Sequence, residues 1–306
     1  FYNCKSLNNL EMAFTAADEI GAYAFYGCQK LESISLPARI TGIGAFAFAG
    51  CTALKTISAG AKLSSVGEAA LQNTAWLAEQ ADGPVLLSGV MITYKGKAPD
   101  QFTVPSNVTA LADKALADRS DIKELVIPAT VKYIGAQLLQ NNTVAAVSIP
   151  YFGASAADNR TAYLGYLFGY GSEAGNAKLP KTLTTVTLTD MTSVPTAAMA
   201  GASKVKTLTI GESVKTVKTR AFADCTALDV LNFNPVNATV ENDAFDNSNV
   251  ATVSFGKTVK TIPANLCTNN YNLKSVTISE GVERIEARAF AGCYNMTKLT
   301  FDAKNC

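Results

Sequence analysis

The side chains through which this 306-residue chain could do chemistry are seven cysteines, 25 carboxylates and a local concentration of tyrosines. It has no histidine, so a Ser-His-Asp triad, a Cys-His pair and a histidine-ligated metal are all excluded. A reactive thiol needs an electropositive, accessible setting. Cys4, Cys28, Cys51, Cys225 and Cys293 instead each stand three residues ahead of an apolar residue that opens a strand-like run. They are expected to be buried thiols that behave as small hydrophobes. Cys267 fills a position that is Phe elsewhere, and Cys306 is terminal. Paired carboxylates could cleave a glycoside without histidine. Asp18, Glu19, Glu68, Asp121, Glu124, Glu241 and Glu283 are scattered, however, and predict a solvated face. Asn242, Asp243, Asp246, Asn247 and Asn249 offer oxygen ligands, but their spacing is no EF-hand loop and reads as an Asn/Asp-rich turn. No enzymatic activity, cofactor or metal site is expected.

The elements that hold these residues are repeats. The phrase Ile40 to Ile57 recurs almost unchanged as Val282 to Leu299. It reads apolar, two spacers, apolar, three spacers, Ala-Phe, two spacers, Cys or Asn, two spacers, Leu, two spacers, Leu or Ile. Its first strand apolar falls at Leu7, Leu31, Leu54, Ile122, Val144, Leu183, Val205, Leu228, Val250, Leu273 and Met296, with steps of 22 to 24 residues inside each run. Such a period specifies a solenoid, whose core grows along one axis. The 68 residues from Leu54 to Ile122 predict two degenerate repeats, and the 39 from Val144 to Leu183 predict an insertion of about sixteen. The total is about thirteen repeats in a single domain over 1–306.

Within each repeat, alternation as in Ile34-Ser-Leu36-Pro37 predicts a short strand that ends at proline. A second short run, as in Val131-Lys-Tyr-Ile134-Gly135, predicts an extended piece followed by a helical turn. The expected fold is therefore an α/β-type solenoid with a parallel sheet on one face and short strands and helical turns on the other. Two segments break phase. Residues 73–98 contain an alternating run from Val85 to Tyr94 interrupted at Ser88-Gly89, which predicts a hairpin with Trp76 plugging its junction. Residues 151–182 mix Gly153, Gly165, Gly169, Gly171 and Gly175 with aromatic residues and predict a loop that packs.

Hydrophobic residues are 48% of the chain and charged ones 17%, which provides a core and argues against disorder. A formal charge of +1 offers nothing to nucleic acid or an anionic membrane. No apolar run is long enough to span a bilayer, and direct membrane insertion of this segment is not expected. Phe1-Tyr2-Asn3-Cys4 aligns with Phe48 to Cys51, as in a fragment or processed product that starts inside a repeat.

The phrases Ile43 to Cys51, Val217 to Cys225 and Ile285 to Cys293, with Asn73 to Leu77, Tyr94 to Gly96 and Leu164 to Gly169, resemble the BspA-type leucine-rich repeats over essentially the whole chain. Departures are local: Leu139, Met199 and Cys267 replace the Phe, while Pro195 and Pro263 replace the Gly after the second strand. The resemblance implies a right-handed leucine-rich-repeat arc on the surface of host-associated anaerobic bacteria. Some relatives there adhere to host matrix proteins or to other microbes.

Candidate binding residues lie where the repeat faces outward and where it breaks. Between the second and third strand apolars stand Ser35, Ser58, Val126, Ser148, Thr187, Thr209, Asn232, Ser254, Thr277 and Thr300, eight of the ten being Ser or Thr. Small hydroxylated residues suit a wet strand face, and such faces are where solenoids commonly bind. Ser148, Thr187, Thr209, Asn232, Ser254 and Thr277 are the candidates there, joined by Tyr163, Tyr166 and Tyr170 of the second insertion. The expected role is an extracellular or cell-surface adhesion module for a protein partner, host matrix or another surface protein. The alternatives are a surface carbohydrate-binding protein, with tyrosine rings stacked on sugars, and a structural spacer.

Overall fold

The structure, a computed structural model, describes residues 1–10, 12 and 17–304; Cys306 lies outside them. The chain is a parallel β-solenoid of about 12 turns, a leucine-rich-repeat fold. Its contacts divide into two compact units, one of residues 1–99, 105–121 and 130–140, the other of residues 100–104, 122–129 and 141–306. Among the described residues no helix is long and apolar enough to cross a membrane.

In the first unit, Ser33–Ser35 and Thr56–Ser58 pair in parallel, and Glu19–Ile20, Gly42–Ile43 and Ser65–Val66 form a second parallel ladder. Ile34, Ile57, Ile43 and Val66 point inward and are buried, because alternation sends every second side chain to the core. The second unit carries nine parallel strands. They run from Gln101–Thr103 and Glu124–Val126 through Ala146–Ile149, Thr185–Leu188, Thr207–Ile210, Val230–Phe233, Thr252–Phe255 and Ser275–Ile278 to Lys298–Phe301. Successive copies stay in register, as Leu208 beside Leu231 and Leu231 beside Val253.

The expected helical turn takes the form of a chain of tight turns that builds a third ladder. Phe46 and Gly50, two residues before and after Phe48, both have positive φ, as do Arg220 and Asp224 around Phe222 and Arg288 and Gly292 around Phe290. This pattern directs alternate N–H groups in opposite ways. Phe46, Phe48 and Gly50 donate to the Glu68, Ala70 and Gln72 carbonyls of the next rung at 3.0, 2.8 and 2.8 Å. Ala47, Ala49 and Cys51 donate back to Gly44, Phe46 and Phe48 within the turn. The polar backbone of a buried turn is thereby satisfied without a helix. The Phe side chains follow the rung spacing, with Phe1, Phe25 and Phe48 stacked at 5.3 and 5.2 Å and nearly parallel.

Residues 73–98 depart from the expected pair of degenerate repeats. A capped helix, Ala75–Ala78, follows Thr74, whose Oγ1 accepts from Leu77 N at 3.1 Å. A hairpin, Gly83–Leu87 with Val90–Lys95, turns at Ser88-Gly89 with both φ values positive. Its second arm pairs in parallel with Ala110–Leu111, so only one regular rung lies between Leu54 and Ile122. Two cations fasten the hairpin. Lys95 Nζ donates to the carbonyls of Leu77, Ala78 and Gln80 at the helix C-terminus, where a positive charge is favoured. Arg119 donates to the Tyr94 and Gly96 carbonyls at 2.8 and 2.7 Å and forms a fork with both Asp121 oxygens. Asp121 Oδ2 also accepts from Ala98 N at 2.7 Å.

The hydrogen bonds from Arg119 hold the Asp121 carboxyl at about 2, below its usual value of 3.8. A group that binds protons less readily when folded stabilises the fold above its unfolded pKa, and that contribution is lost as pH falls through the folded one. The melting-temperature gap between the wild type and Asp121→Asn is therefore expected to be widest above about pH 4 and to shrink towards about pH 2. A gap constant across that window in a pH series of thermal melts contradicts the clamp.

Candidate functional site

The outward residue of each strand in the second unit forms one continuous row. Thr103, Val126, Ser148, Thr187, Thr209, Asn232, Ser254, Thr277 and Thr300 are directly in register across the nine strands. From Val126 onward all are partly exposed, and their neutral side chains are no larger than Asn or Val. Neighbours in the row bond to one another: Asn232 Nδ2 donates to Thr209 Oγ1 at 3.1 Å, and Ser254 Oγ donates to Asn232 Oδ1 at 2.7 Å. A parallel row two residues back holds Thr185, Thr207, Val230, Thr252 and Ser275, again small and half-buried. The sheet therefore presents a broad uncharged strip whose polar groups are partly satisfied by each other, which lowers the cost of desolvating it.

The three tyrosines lie elsewhere. Residues 164–168 form a 3-10 helix whose Leu164 N donates to Ala198 O at 2.9 Å, so the insertion stacks on the column of turns. Tyr163 packs against Ala197, Ala200 and Ala223 of that column, and Lys178 Nζ stands 5.6 Å from the Tyr170 ring centre. All three rings are half-buried, while Leu164, Leu167 and Phe168 are buried. Insertion and strand row belong to different columns of the rung, and the structure does not bring them into one site.

Asn176 holds the insertion in place, a role invisible in its sequence context. Its side chain is buried; Oδ1 accepts from Gly165 N at 2.9 Å, and Nδ2 donates to the Ala197 and Ala198 carbonyls at 3.4 and 3.2 Å. Two further tyrosines also escaped notice. Tyr271 and Tyr294 occupy the same repeat position, stack at 5.9 Å and 16°, and are 54% and 82% exposed. Comparing that one column across copies is the signal that finds them.

The thiols are structural. Cys51 Sγ donates to Phe25 O at 3.0 Å, Cys225 to Met199 O at 3.3 Å and Cys293 to Cys267 O at 3.0 Å, each reaching the Phe position of the preceding rung. Burial pushes Cys51 up to about 11 and Cys225 up to about 12, and it raises Cys28, Cys267 and Cys293 as well. Such thiols are poor nucleophiles at neutral pH. The expectation of burial fails at Cys4, which is exposed, and at Cys293, which is half-buried.

A family model for the BspA type leucine rich repeat region matches six copies over residues 1–80, 93–188 and 192–305. The chain belongs to that family. The unmatched residues 81–92 fall within the hairpin insertion. Among solved structures, a leucine-rich repeat protein from Bacteroides ovatus is 20% identical, with 91% of this chain and 69% of that one covered at a TM-score of 0.41. One from Eubacterium ventriosum is 22% identical, with 93% and 70% covered at 0.32. A leucine rich cell surface protein from Faecalibacterium prausnitzii is 18% identical, with 92% and 70% covered at 0.27. No curated protein matches the chain.

Asn176→Leu keeps the size of this leucine-rich-repeat keystone but leaves Gly165 N without its acceptor, while the Ala197 and Ala198 carbonyls keep only Ala200 N and Leu164 N. The expected loss is about 1–3 kcal/mol of stability. It should be accompanied by faster proteolysis within residues 151–182. Wild-type melting and an intact insertion in this variant would remove Asn176 from the keystone role.

Proposed function

We propose that residues 1–306 act as one non-enzymatic binding module at the cell surface, recognising a protein partner through the outward strip of the sheet. The observation that carries this reading is the in-register row from Thr103 to Thr300, nine strands long and neutral throughout. Ser148, Thr187, Thr209, Asn232, Ser254 and Thr277 are the residues assigned to first contact. Tyr163, Tyr166 and Tyr170 are assigned to a second contact made by the exposed parts of their rings. Family membership supports a binding scaffold, and a surface leucine-rich-repeat neighbour supports the cell-surface setting. The lack of histidine and the raised thiol pKa values support a role without covalent chemistry.

A strip of this kind lacks the Trp, Tyr and Arg anchors of a hot spot, so the partner must supply them and profit from the flat, cheaply dehydrated surface. Placing an ammonium on the strip would force a charge into any such interface. In a surface-resonance assay against immobilised extracellular-matrix proteins, Thr209→Lys with Ser254→Lys is expected to weaken binding by about tenfold or more. Alanine at all three insertion tyrosines should weaken it less. Binding unaffected by the two lysines sinks the sheet-face reading, and binding unaffected by the alanines removes the insertion from the site.

A further inference from the structure

The third ladder is broken at one place between regular rungs of the second unit. Met199 N and Gly201 N donate to Ala221 O and Ala223 O, and Phe222 N and Asp224 N donate to Ala244 O and Asp246 O. Cys267 N and Asn269 N likewise donate to Ala289 O and Ala291 O. By the same phase, Asp243, Phe245 and Asn247 would donate to Ala264, Leu266 and Thr268. Among the described residues no backbone bond joins those two turns.

Pro263 explains the break. At the equivalent position, Lys218, Glu241 and Glu286 each donate their N–H to the strand carbonyl of the rung before, Val194, Val217 and Ile262, at 3.1, 2.9 and 3.0 Å. Proline has no N–H, so the corresponding bond to Val240 O cannot form. The middle ladder slips by two residues here: Lys260 N bonds Val236 O, and Thr261 bridges to Asn237 instead of pairing with Thr239. The turn at 245–250 is also one residue shorter than that at 222–228, which leaves less chain to close the gap. Between the parted turns lies a cleft of about 610 Å³.

The cleft has a definite chemical character. One turn brings N–H groups that lack their ladder acceptors and the other brings carbonyls, and Asn242, Asp243, Asp246, Asn269 and Arg288 are among the lining residues. Tyr271 lines the rim with its ring exposed and backed by Tyr294. The volume is that of a small-ligand site, which at about 300–1,000 Å³ accommodates a few rings. Glu241, Asp243 and Asp246 against Arg288 disfavour an anionic ligand.

We propose that this cleft binds a short neutral saccharide, with one sugar face on Tyr271 and its hydroxyls among the freed backbone groups and the Asn and Asp side chains. Hydroxyls both donate and accept, which suits walls that mix the two. A ring face exposed beside polar partners is what the apolar face of a pyranose needs. This site is independent of the sheet strip.

The test is a glycan microarray probed with the whole chain, followed by calorimetric titration of the responding oligosaccharide. Tyr271→Ala and Asp243→Asn are each expected to weaken that binding by about tenfold while leaving the melting temperature unchanged. The sheet-face variant Thr209→Lys with Ser254→Lys should bind the saccharide like the wild type, so failure of one reading does not carry the other with it. In labelled wild-type protein, the side-chain amide signals of Asn242 and Asn269 should shift on titration. A silent array overturns the proposal, and so does saccharide binding that neither cleft variant weakens. Shifts of those amides with peptides but not with saccharides would assign the cleft to a peptide instead.

Discussion

Everything in this molecule hangs on the backbone hydrogen bond from one rung to the next. A rung buries its Leu, Ile and Phe only against its neighbours, so an isolated repeat has no core of its own. The apolar stack, in turn, brings backbone N–H and C=O groups away from water, where each needs a partner. Three ladders answer that need: the strand sheet, the short second strands, and the turn column in which alternate N–H groups of Phe46, Phe48 and Gly50 reach the next rung. The third is maintained by left-handed residues on both sides of the Phe position. Gly suits that conformation, and Asn and Asp tolerate it, which is why Gly50, Asn73, Asp224 and Asn247 share one column. The thiols of Cys51 and Cys225 add an S–H bond along the same axis.

Much of this was legible in the sequence, because periodicity is written in side-chain type. The Leu, Ile and Phe phase located the strands and the interior, the alternating run broken at Ser88-Gly89 located the hairpin, and the Ser/Thr positions mapped onto the outward row without a shift. The turn geometry was not legible in that way. A short apolar run ending in Ala-Phe fits a helical turn as well as a chain of tight turns, and only the spacing of φ-permissive residues separates the two. The count of degenerate repeats between Leu54 and Ile122 came out one too high because length alone cannot tell a rung from the helix and hairpin that replace it. Cys4 and Cys293 share the repeat position of Cys51 but not its burial, which side-chain type alone does not encode.

The candidate sites divide along the same line. A row on the sheet follows from the repeat and can be read from any copy. Asn176, Arg119 and Pro263 act once each, through partners distant in sequence, and a pattern search passes over them. Pro263 is instructive because it stood out as a departure from the repeat, yet its consequence lies in the Val240 carbonyl one rung back. Where the array is regular, the backbone consumes its own hydrogen-bonding capacity and offers little to a ligand. Where one donor is missing, that capacity turns outward.

Amide hydrogen exchange resolved by residue tests this dependence most directly. Phe222, Asp224, Cys267 and Asn269 should be protected, since their N–H groups bond to the next rung. Asp243, Phe245 and Asn247, at equivalent positions in the turn before Pro263, should exchange orders of magnitude faster, as groups outside a cooperative ladder do. Equal protection at Phe222, Phe245 and Cys267 would mean that the ladder closes through this rung, and it would contradict the account.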